Sequence, residues 1–419
     1  MNDFFLSRVW ESDPEVAKII EREYFRQKDT IDLIASENFV SQSVLDAFSI
    51  FTNKYAEGYP NGRYYGGCEH ADEVELLAID RAVKVFKYPY ANVQVHSGSQ
   101  ANQAVFLACL EPGDTILGFS LDAGGHLTHG SRVNMSGKWF NAVTYGVRKD
   151  DYLIDMRQVE SLALHHKPKL IIAGASAYTR HIDFARFREI ADKVGSLLLA
   201  DIAHYSGLIA TDLYPSPYPF ADVITTTTHK VLRGPRGGMI MAKDPGVMKR
   251  INSAVFPGMQ GGPIMQAIVA KAVAFKELQS DNFTEYANSV LRNARSLATE
   301  LIEKGFNLIT GGTDSHMMLI DLTKQGITGK DAEFLLSQVG IICNKNTIPF
   351  DEKSPFITSG VRFGVAAVTT RRISQEHIKE LAHIIYDTLV RRSSIDSLKA
   401  RVMQITRDLQ FYSADNILF

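Results

Sequence analysis

The chain has 419 residues, 45 of them basic and 47 acidic. This length exceeds what one hydrophobic core usually serves, and the balanced charge gives no electrostatic footprint for nucleic acid or an anionic membrane. Cys68, Cys109 and Cys343 are widely separated and form no cluster with histidine, so the sequence predicts neither a metal site nor a disulfide framework and favours a reducing compartment. No secretory segment or membrane span is recognisable, and we expect a cytoplasmic protein.

Three regions follow one another along the chain. Residues 1–55 are predicted to form an N-terminal helical arm with irregular segments, of a kind that often serves a subunit interface. Residues 56–282 are expected to form a large α/β domain. The polar helix pattern after Phe283 and the short elements that follow it predict a small C-terminal α+β domain over residues 283–419, ending in an amphipathic helix near "HIKELAHIIYDTLVRR".

Between Val93 and Ala242, short apolar runs alternate with segments of helical periodicity. The runs include "NVQVHSGS", "DTILGFS", "KLIIAGA", "SLLLADIAH", "ADVITTTTHK" and "GMIMAK", and "FARFREIADKVG" has helical spacing and ends on Gly195. This alternation predicts a mostly parallel sheet covered by helices on both faces. Ligands of such sheets bind beyond the carboxyl ends of the strands. The residues expected at those ends are Ser97, Gly98, Ser99, Asp201, His204 and Lys230.

Lys230 stands in "TTTTHKVLRGPRGG", where a threonine-rich strand runs into a glycine-rich turn. A lone lysine in a turn is usually a surface residue. Here it follows His229 and shares the predicted edge with Asp201, so an alternative is a lysine of lowered pKa that forms a Schiff base with an aldehyde cofactor. Pyridoxal phosphate needs an acidic partner at its ring nitrogen, a role that Asp201 can fill.

Other residues suit the remaining parts of such a site. Ser97 to Ser99 close a strand and open a helix, which provides backbone N–H groups for a phosphate, although the same pattern also forms an ordinary helix cap. His126 follows two glycines and suits either a structural role or stacking on a ring. Arg362 is a candidate clamp for a carboxylate or, alternatively, part of a surface salt bridge. Glu57 and Tyr65 lie in a tyrosine- and glycine-rich loop that is too polar for a core.

Longer motifs give the chain a family resemblance. The segments "LIASENF", "TNKYAEGYP", "RYYGGCE", "HSGSQAN", "GGHLTHG", "TTTTHK", "GPRGG", "FPGMQGGP" and "KNTIPFDEKSPF" occur in order from Leu33 to Phe356. Together they resemble the serine hydroxymethyltransferase family over nearly the whole chain. The resemblance implies a homodimeric fold type I pyridoxal-phosphate enzyme with shared active sites, which converts L-serine and tetrahydrofolate reversibly to glycine and 5,10-methylenetetrahydrofolate.

The resemblance also implies individual roles. Lys230 would be the Schiff-base lysine, Asp201 the partner of the ring nitrogen and Glu57, from the partner subunit, the proton donor and acceptor. The other residues implied at the cofactor are Ser97, Gly98, Ser99, His126, Ser176, His204 and His229, with Tyr55 and Gly262 from the partner subunit. Those implied at the amino-acid substrate are Arg362, Ser36 and Tyr65. Those implied at the folate are Leu121, Gly125, Leu127, Asn346 and Phe356.

Four features depart from the family pattern. Val231 replaces a threonine after the lysine, Ala175 replaces a phenylalanine, Val365-Ala366-Ala367 lacks the usual threonine and proline, and the segment before Thr52 is one residue shorter. Drift with repacking explains them. An alternative is a pocket that favours other β-hydroxy amino acids, such as α-methylserine or allo-threonine, including a folate-independent aldolase. A non-catalytic pyridoxal-binding protein would have lost Lys230 or Asp201, and neither is lost.

Overall fold

A computed structural model describes residues 4–48 and 50–414. Helices make up most of its regular structure. In chain order they are α1 Val9–Ser12, α2 Pro14–Asp29, α3 Gln42–Asp46, α4 Glu69–Phe86, α5 Gly98–Cys109, α6 Met135–Trp139, α7 Met156–His166, α8 Phe184–Val194, α9 Ser206–Ile209, α10 Pro245–Ser253, α11 Met265–Glu277, α12 Asp281–Glu303, α13 Gly329–Gln338, α14 Ala366–Thr370, α15 Gln375–Tyr386 and α16 Ile395–Asp408.

The strands fall into one large sheet and two small ones. In chain order they are β1 Ile31–Asp32, β2 Tyr90–Asn92, β3 Thr115–Phe119, β4 Asn141–Tyr145, β5 Leu170–Gly174, β6 Leu197–Asp201, β7 Val223–Thr227, β8 Gly238–Ala242, β9 Asn307–Leu308, β10 Met317–Asp321, β11 Ile341–Ile342, β12 Asn344–Asn346 and β13 Gly360–Gly364. The large sheet has the order β2-β8-β7-β6-β5-β3-β4. Its strands from β7 to β4 pair in parallel, which confirms the predicted fold class.

The helix predicted between β5 and β6 is present as α8. Asp183 caps its first turn by accepting from Arg186 N, and Gly195 ends it with a left-handed φ of 70°. Phe184, Phe187 and Ile190 are buried on its inner face, and each such burial contributes about 1.5–3 kcal/mol. The helix therefore holds β5 and β6 side by side, with their carboxyl ends at one edge.

Two parts of the large sheet differ from the predicted pattern. Strand β8 runs antiparallel to β7, because the connection over residues 228–237 is too short for the crossover of about a dozen or more residues that a parallel neighbour needs. Strand β2 ends at Asn92, before the apolar run "NVQVHSGS" is complete. Beyond Asn92 the carbonyls of Val93 and Val95 accept hydrogen bonds from the side chain of Lys271.

The C-terminal region carries its own antiparallel sheet of order β12-β13-β10-β9. The amphipathic segment that we expected to end the chain forms α15 and a short π-helical turn over residues 387–391. A further helix, α16, follows and buries Leu398, Val402 and Ile405. It was not predicted from the sequence. No helix within residues 4–48 and 50–414 is long and apolar enough to cross a membrane.

The N-terminal segment is tied to the C-terminal region. Strand β1 pairs in parallel with β11, with Ile31 opposite Ile341. The buried guanidinium of Arg371 donates hydrogen bonds to the carbonyls of Gln27, Lys28 and Thr30, at the end of α2. Both contacts fix the start of the chain against the C-terminal region, near the stretch that leads to Ser36.

Candidate active site

Lys230 follows β7 at the carboxyl edge of the large sheet. The threonine hydroxyls that precede it are satisfied internally, as in the bond of 2.6 Å from Thr225 Oγ1 to Asn102 Oδ1. β-Branched side chains of this kind suit a fully buried strand. Only 8% of Lys230 is exposed, and burial lowers the pKa of its amine to about 8. A larger, though still minor, fraction of the amine than in an exposed lysine is therefore neutral, and hence nucleophilic, near neutral pH.

The turn after Lys230 is held by close backbone contacts. The carbonyl of Lys230 accepts from Arg233 N and from Asn38 Nδ2, both at 2.9 Å. Gly234 N donates to Thr228 O at 2.7 Å, and a Cβ on Gly234 would also stand 2.7 Å from that oxygen. The position therefore requires glycine, and the tight turn fixes the direction in which Lys230 leaves the strand.

Asp201 ends the neighbouring strand β6 and is buried. Its Oδ2 accepts from His129 Nε2 and from Asn102 Nδ2, both at 2.9 Å, and its Oδ1 accepts from Ala203 N at 3.1 Å. Burial alone would raise the pKa of the carboxyl, but the hydrogen bond and positive charge of His129 lower it well below its ordinary value. Asp201 is therefore a fixed negative charge beside Lys230.

His129 and Asn102 were not among the predicted residues. His129 lies three residues beyond His126 in a short turn, and Asn102 lies on the inner face of α5, one turn from Gly98. The spacing of His126 and His129 was the only feature of the sequence that could have indicated a role for His129. No feature of the sequence indicated a role for Asn102. Together they determine the charge and orientation of Asp201.

His126 lies in the same neighbourhood. Burial lowers the pKa of His126 to about 4, and the charges of Asp201, Lys230 and Arg362 also act on it. Its Nδ1 lies 2.8 Å from Thr128 Oγ1. A neutral, positioned imidazole is suited to stacking against a flat ring.

Ser97, Gly98 and Ser99 form the start of α5, close to β7 and β8. Ser97 caps the helix by accepting from Gln100 N at 3.2 Å, and a Cβ on Gly98 would stand 2.7 Å from Thr227 Cγ2. The N-terminus of this helix, with its free N–H groups and positive dipole end, therefore lies at the same sheet edge as Lys230. This arrangement suits a bound phosphate.

Arg362 reaches the site from β13 of the small sheet. Its Nη1 donates to Ser176 O at 2.6 Å, and its Nε and Nη2 lie 3.3 Å from Asn344 Oδ1. Burial lowers the pKa of this guanidinium to about 10, so it stays charged at neutral pH. The surface salt bridge considered as its alternative role is excluded, since Arg362 is buried and its partners are neutral.

His204 and His229 line the region around Lys230. The ring of His204 stacks on that of His316 with centroids 5.5 Å apart, and burial lowers the pKa of His204 well below its ordinary value. Burial also lowers the pKa of His229 to about 3. His229 and Ser36 border a common cavity of about 330 Å³. Both histidines are neutral at physiological pH and serve as polar walls.

Tyr55, Glu57, Tyr65 and Gly262 form a separate group, which we call the tyrosine–glutamate cluster. Tyr55 donates to Glu57 Oε1 at 3.0 Å and its ring lies 5.2 Å from that of Tyr65. A Cβ on Gly262 would stand 3.0 Å from the ring of Tyr55. Tyr55 and Tyr65 are 53% and 45% exposed, and no hydrogen bond joins the cluster to Lys230 in the part of the chain that the structure describes. The cluster is thus assembled, on the surface of the chain.

The predicted folate residues lie on two segments. Leu121, Gly125 and Leu127 follow β3 in the turns before α6, and both leucines are partly exposed to solvent. Asn346 ends β12 and donates to Thr347 O at 2.8 Å, and Phe356 is 84% exposed. These apolar side chains are available to a ligand.

The departures from the family pattern are buried. Val231 is fully buried, Ala175 is 3% exposed, and Val365, Ala366 and Ala367 lie within the core at the start of α14. Their burial agrees with repacking of the interior. The shortened segment before Thr52 includes Ser49, which lies outside the described residues.

Lys271 of α11 was also missed by sequence analysis. Its buried amine donates to the carbonyls of Val93, Val95 and Gly238 at 2.6, 3.2 and 2.9 Å. These three acceptors match the three N–H bonds of an ammonium group. Val95 and Gly238 lie next to Ser97, the residue that caps α5. By donating to both carbonyls, Lys271 therefore holds the start of α5 in place. The nearby carboxylate of Glu75 opposes the cost of burying it.

We expect replacement of Lys271 by methionine to lower the free energy of unfolding by roughly 3 kcal/mol, because buried carbonyls lose their donor. The midpoint of urea unfolding at constant slope measures this. Lys276→Met is the matched control, since Lys276 is exposed on the same helix, and it should change stability by less than about 0.5 kcal/mol. Equal midpoints for the two variants would contradict a bracing role.

A buried lysine and a buried carboxylate, next to a helix N-terminus at the carboxyl edge of a mostly parallel sheet, define the class of fold type I pyridoxal-phosphate enzymes. Comparison with known proteins gives the family. The model of the family "Serine hydroxymethyltransferase" matches residues 9–385. The chain therefore belongs to the serine hydroxymethyltransferase family, and it is an enzyme that transfers one-carbon groups.

Curated relatives agree over nearly the whole chain. A serine hydroxymethyltransferase of Rickettsia canadensis (strain McKiel) is 58% identical over 388 residues, 92% of each chain. One of Coprothermobacter proteolyticus is 57% identical over 402 residues, 96% of each chain. One of Wolbachia sp. subsp. Drosophila simulans (strain wRi) is 58% identical over 407 residues, again 96% of each chain.

Proposed function

We propose that the chain catalyses the reversible conversion of L-serine and tetrahydrofolate to glycine and 5,10-methylenetetrahydrofolate. The observation that carries this proposal is the common buried neighbourhood of Lys230, Asp201, His126 and Arg362, in which the charges of Asp201 and Arg362 act on both Lys230 and His126. Such a neighbourhood offers a covalent anchor, an anionic partner, a ring-stacking surface and a carboxylate clamp. Family membership supports small amino-acid and folate substrates.

The residues present fit pyridoxal phosphate. Lys230 would hold its aldehyde carbon, Asp201 its ring nitrogen and His126 one face of the ring. Ser97, Gly98 and Ser99 would hold the phosphate, with Ser176, His204 and His229 around the pocket. When bound, the cofactor supplies an electron-accepting ring that makes the bonds at the substrate α-carbon labile.

The substrate would be held by its carboxylate. Arg362 already points two nitrogens at the oxygen of Asn344, and the planar fork of a guanidinium fits a carboxylate in the same way. Ser36 and Tyr65 would lie near this end of the substrate. Glu57 would remove and return the proton of the substrate hydroxyl, the task of a positioned carboxylate.

A homodimer would account for the roles of Tyr65 and Glu57 at the substrate. The tyrosine–glutamate cluster is surface-exposed, and in this chain its members contact one another rather than Lys230. In a symmetric dimer the cluster of one subunit can complete the site of the other. Tyr55 and Gly262 of the partner subunit would then reach the phosphate, and Glu57 and Tyr65 of the partner subunit would reach the substrate.

Tetrahydrofolate would bind beside this site. The exposed side chains of Leu121 and Leu127 offer an apolar surface, Gly125 keeps the turn between them close to Phe119 O, and Asn346 offers a side-chain amide. Phe356 would add a large apolar contact.

The domain organisation that accompanies this function consists of an arm over residues 1–55, a large domain over 56–282 and a small domain over 283–419. Arg362 comes from the small domain and Lys230 from the large one, so the site lies between them. The three cysteines are free thiols, which supports a reducing, cytoplasmic location.

We expect the purified protein, loaded with pyridoxal phosphate, to release glycine from L-serine far faster in the presence of tetrahydrofolate. Chromatographic measurement of glycine with and without tetrahydrofolate checks this, with glycine release from allo-threonine and alanine release from α-methylserine as comparison reactions. Equal, slow release from serine in both tubes would contradict the proposal. If allo-threonine or α-methylserine were then turned over faster than serine, that β-hydroxy amino acid would be the preferred substrate.

A further inference from the structure

Besides the cavity bordered by Ser36 and His229, another cavity lies next to the turn that follows Lys230. It has a volume of about 540 Å³ and lies between α12 and the segment from Thr369 to Gln375. This volume falls within the roughly 300–1,000 Å³ of small-molecule sites. Three arginines border it, Arg233, Arg292 and Arg372, and we call it the arginine cavity.

The positive charges of the arginine cavity are not neutralised by ion pairs. The guanidinium of Arg233 lies 4.4 Å from the ring centroid of Tyr286, and Arg292 Nη2 donates to Ser289 Oγ at 2.7 Å. Within the described part of the chain, none of the three arginines pairs with an acidic side chain. Glu285 is the one acidic residue among the described lining residues, which leaves an excess of two positive charges.

Most of the remaining lining is polar. Helix α15 also begins at the cavity wall, with Ser374 and Gln375, but Glu376 in its first turn offsets the positive end of the helix dipole and Ser374 caps His377 N. Asn293 is 2% exposed and also borders the cavity, where it donates to Thr369 Oγ1 at 2.9 Å and accepts from Gln375 Nε2, so the hydrogen bonds of this part of the lining are made internally. The three guanidinium groups, with their excess positive charge, therefore favour an anion with several oxygens.

The arginine cavity is connected to the predicted catalytic lysine by short contacts. Arg233 N donates to Lys230 O at 2.9 Å, and Tyr286 donates to Val231 O at 3.3 Å. Asn38 donates to both Lys230 O and Tyr286 Oη, at 2.9 and 2.8 Å. A ligand that moves Arg233 towards the cavity would therefore also shift the turn that positions Lys230.

From these observations we propose that the arginine cavity binds a small multivalent anion of the phosphate class, either free phosphate or the phosphate group of a small metabolite. The anion would accept from the guanidinium groups of Arg292 and Arg372. It would also lie close to Arg233. This site is distinct from the predicted cofactor cradle at Ser97 to Ser99, which is at the start of a different helix.

Equilibrium dialysis of the pyridoxal-phosphate-loaded protein with radiolabelled inorganic phosphate tests the site, because the cofactor then fills its own phosphate cradle. We expect saturable binding of one phosphate per chain. The double variant Arg292→Gln and Arg372→Gln should bind phosphate at least about tenfold more weakly, because it loses two charged donors. Both side chains are exposed, so the variant should fold normally, as circular dichroism can verify.

The matched control is the double variant Arg157→Gln and Arg407→Gln, which removes the same charge from exposed positions on α7 and α16. It should bind phosphate as the unmodified protein does. Unsaturable binding to the unmodified protein, or equal loss in both double variants, would overturn the proposal. Competition by glycerol 3-phosphate distinguishes the two sources, since stronger competition than by unlabelled phosphate identifies a phosphate ester as the ligand.

Discussion

Replacement of Lys230 by glutamine should lower glycine formation from serine by roughly 10²–10⁴-fold, the range for loss of a positioned group that takes part in the reaction. The amine is buried, its pKa is lowered to about 8, and the tight turn after it fixes its direction. Glutamine is uncharged and cannot form the covalent link. The rate of folate-dependent glycine release measures the effect, and borohydride reduction followed by peptide mapping locates the attached cofactor in the unmodified protein.

Two controls separate the chemistry of Lys230 from its charge and from folding. Lys230→Arg keeps the positive charge but offers no neutral amine, so it should be as impaired as Lys230→Gln. Mixing Lys230→Gln subunits with Glu57→Gln subunits should restore about a quarter of the activity, since half of the dimers would hold one intact site out of two. Retention of more than about a tenth of the rate by Lys230→Gln would contradict the covalent role.

Replacement of Asp201 by asparagine should lower the same rate by roughly 10²–10³-fold, as expected when a preorganised charge at a reacting group is lost. Asparagine keeps the size of the side chain and an oxygen that can accept from His129, but it lacks the charge that would keep the ring nitrogen protonated. Steady-state kinetics with serine measure the loss. Near-normal turnover by Asp201→Asn would contradict the assignment of Asp201 as the partner of the ring nitrogen.

The pH dependence of unfolding tests the role of Asp201 independently of enzyme activity. The folded-state pKa of Asp201 lies below its ordinary value of 3.8, so the ionised carboxyl stabilises the folded protein above about pH 4. That contribution decreases as the pH falls further, and the unfolding midpoints of variant and unmodified protein should converge there. Asp222→Asn, which breaks the ion pair with Arg188, is the matched control and should lose stability without losing activity.

The main features of the site could be predicted because parallel strands end at one edge of a sheet. Lys230, Asp201 and Ser97 each follow an apolar run in the sequence, so the predicted fold alone brought them to one edge. Arg362 was harder to place, since its strand belongs to another sheet. Its position was proposed from the motif in which it stands.

The supporting residues could not be predicted from local patterns. Asn102 and Lys271 lie on helices and look like ordinary polar positions, and their partners are distant in sequence. Strand β2 stops early, and beyond it the side chain of Lys271 donates to the carbonyls of Val93 and Val95, the second of which also accepts from Gly238 N of β8. The antiparallel β8 follows from a connection whose length was visible, whereas α16 showed too few apolar positions to stand out.

The pairing of β1 with β11 has a consequence for synthesis on the ribosome. Ile31 meets its partner Ile341 only after about 310 further residues are made, which at 5–20 residues per second takes roughly 15–60 s. During that interval the apolar side chains of Ile31 and Leu33, which are fully buried in the finished protein, have no strand to pair with. The β1–β11 pair therefore forms late in synthesis, only after the residues of β11 have emerged.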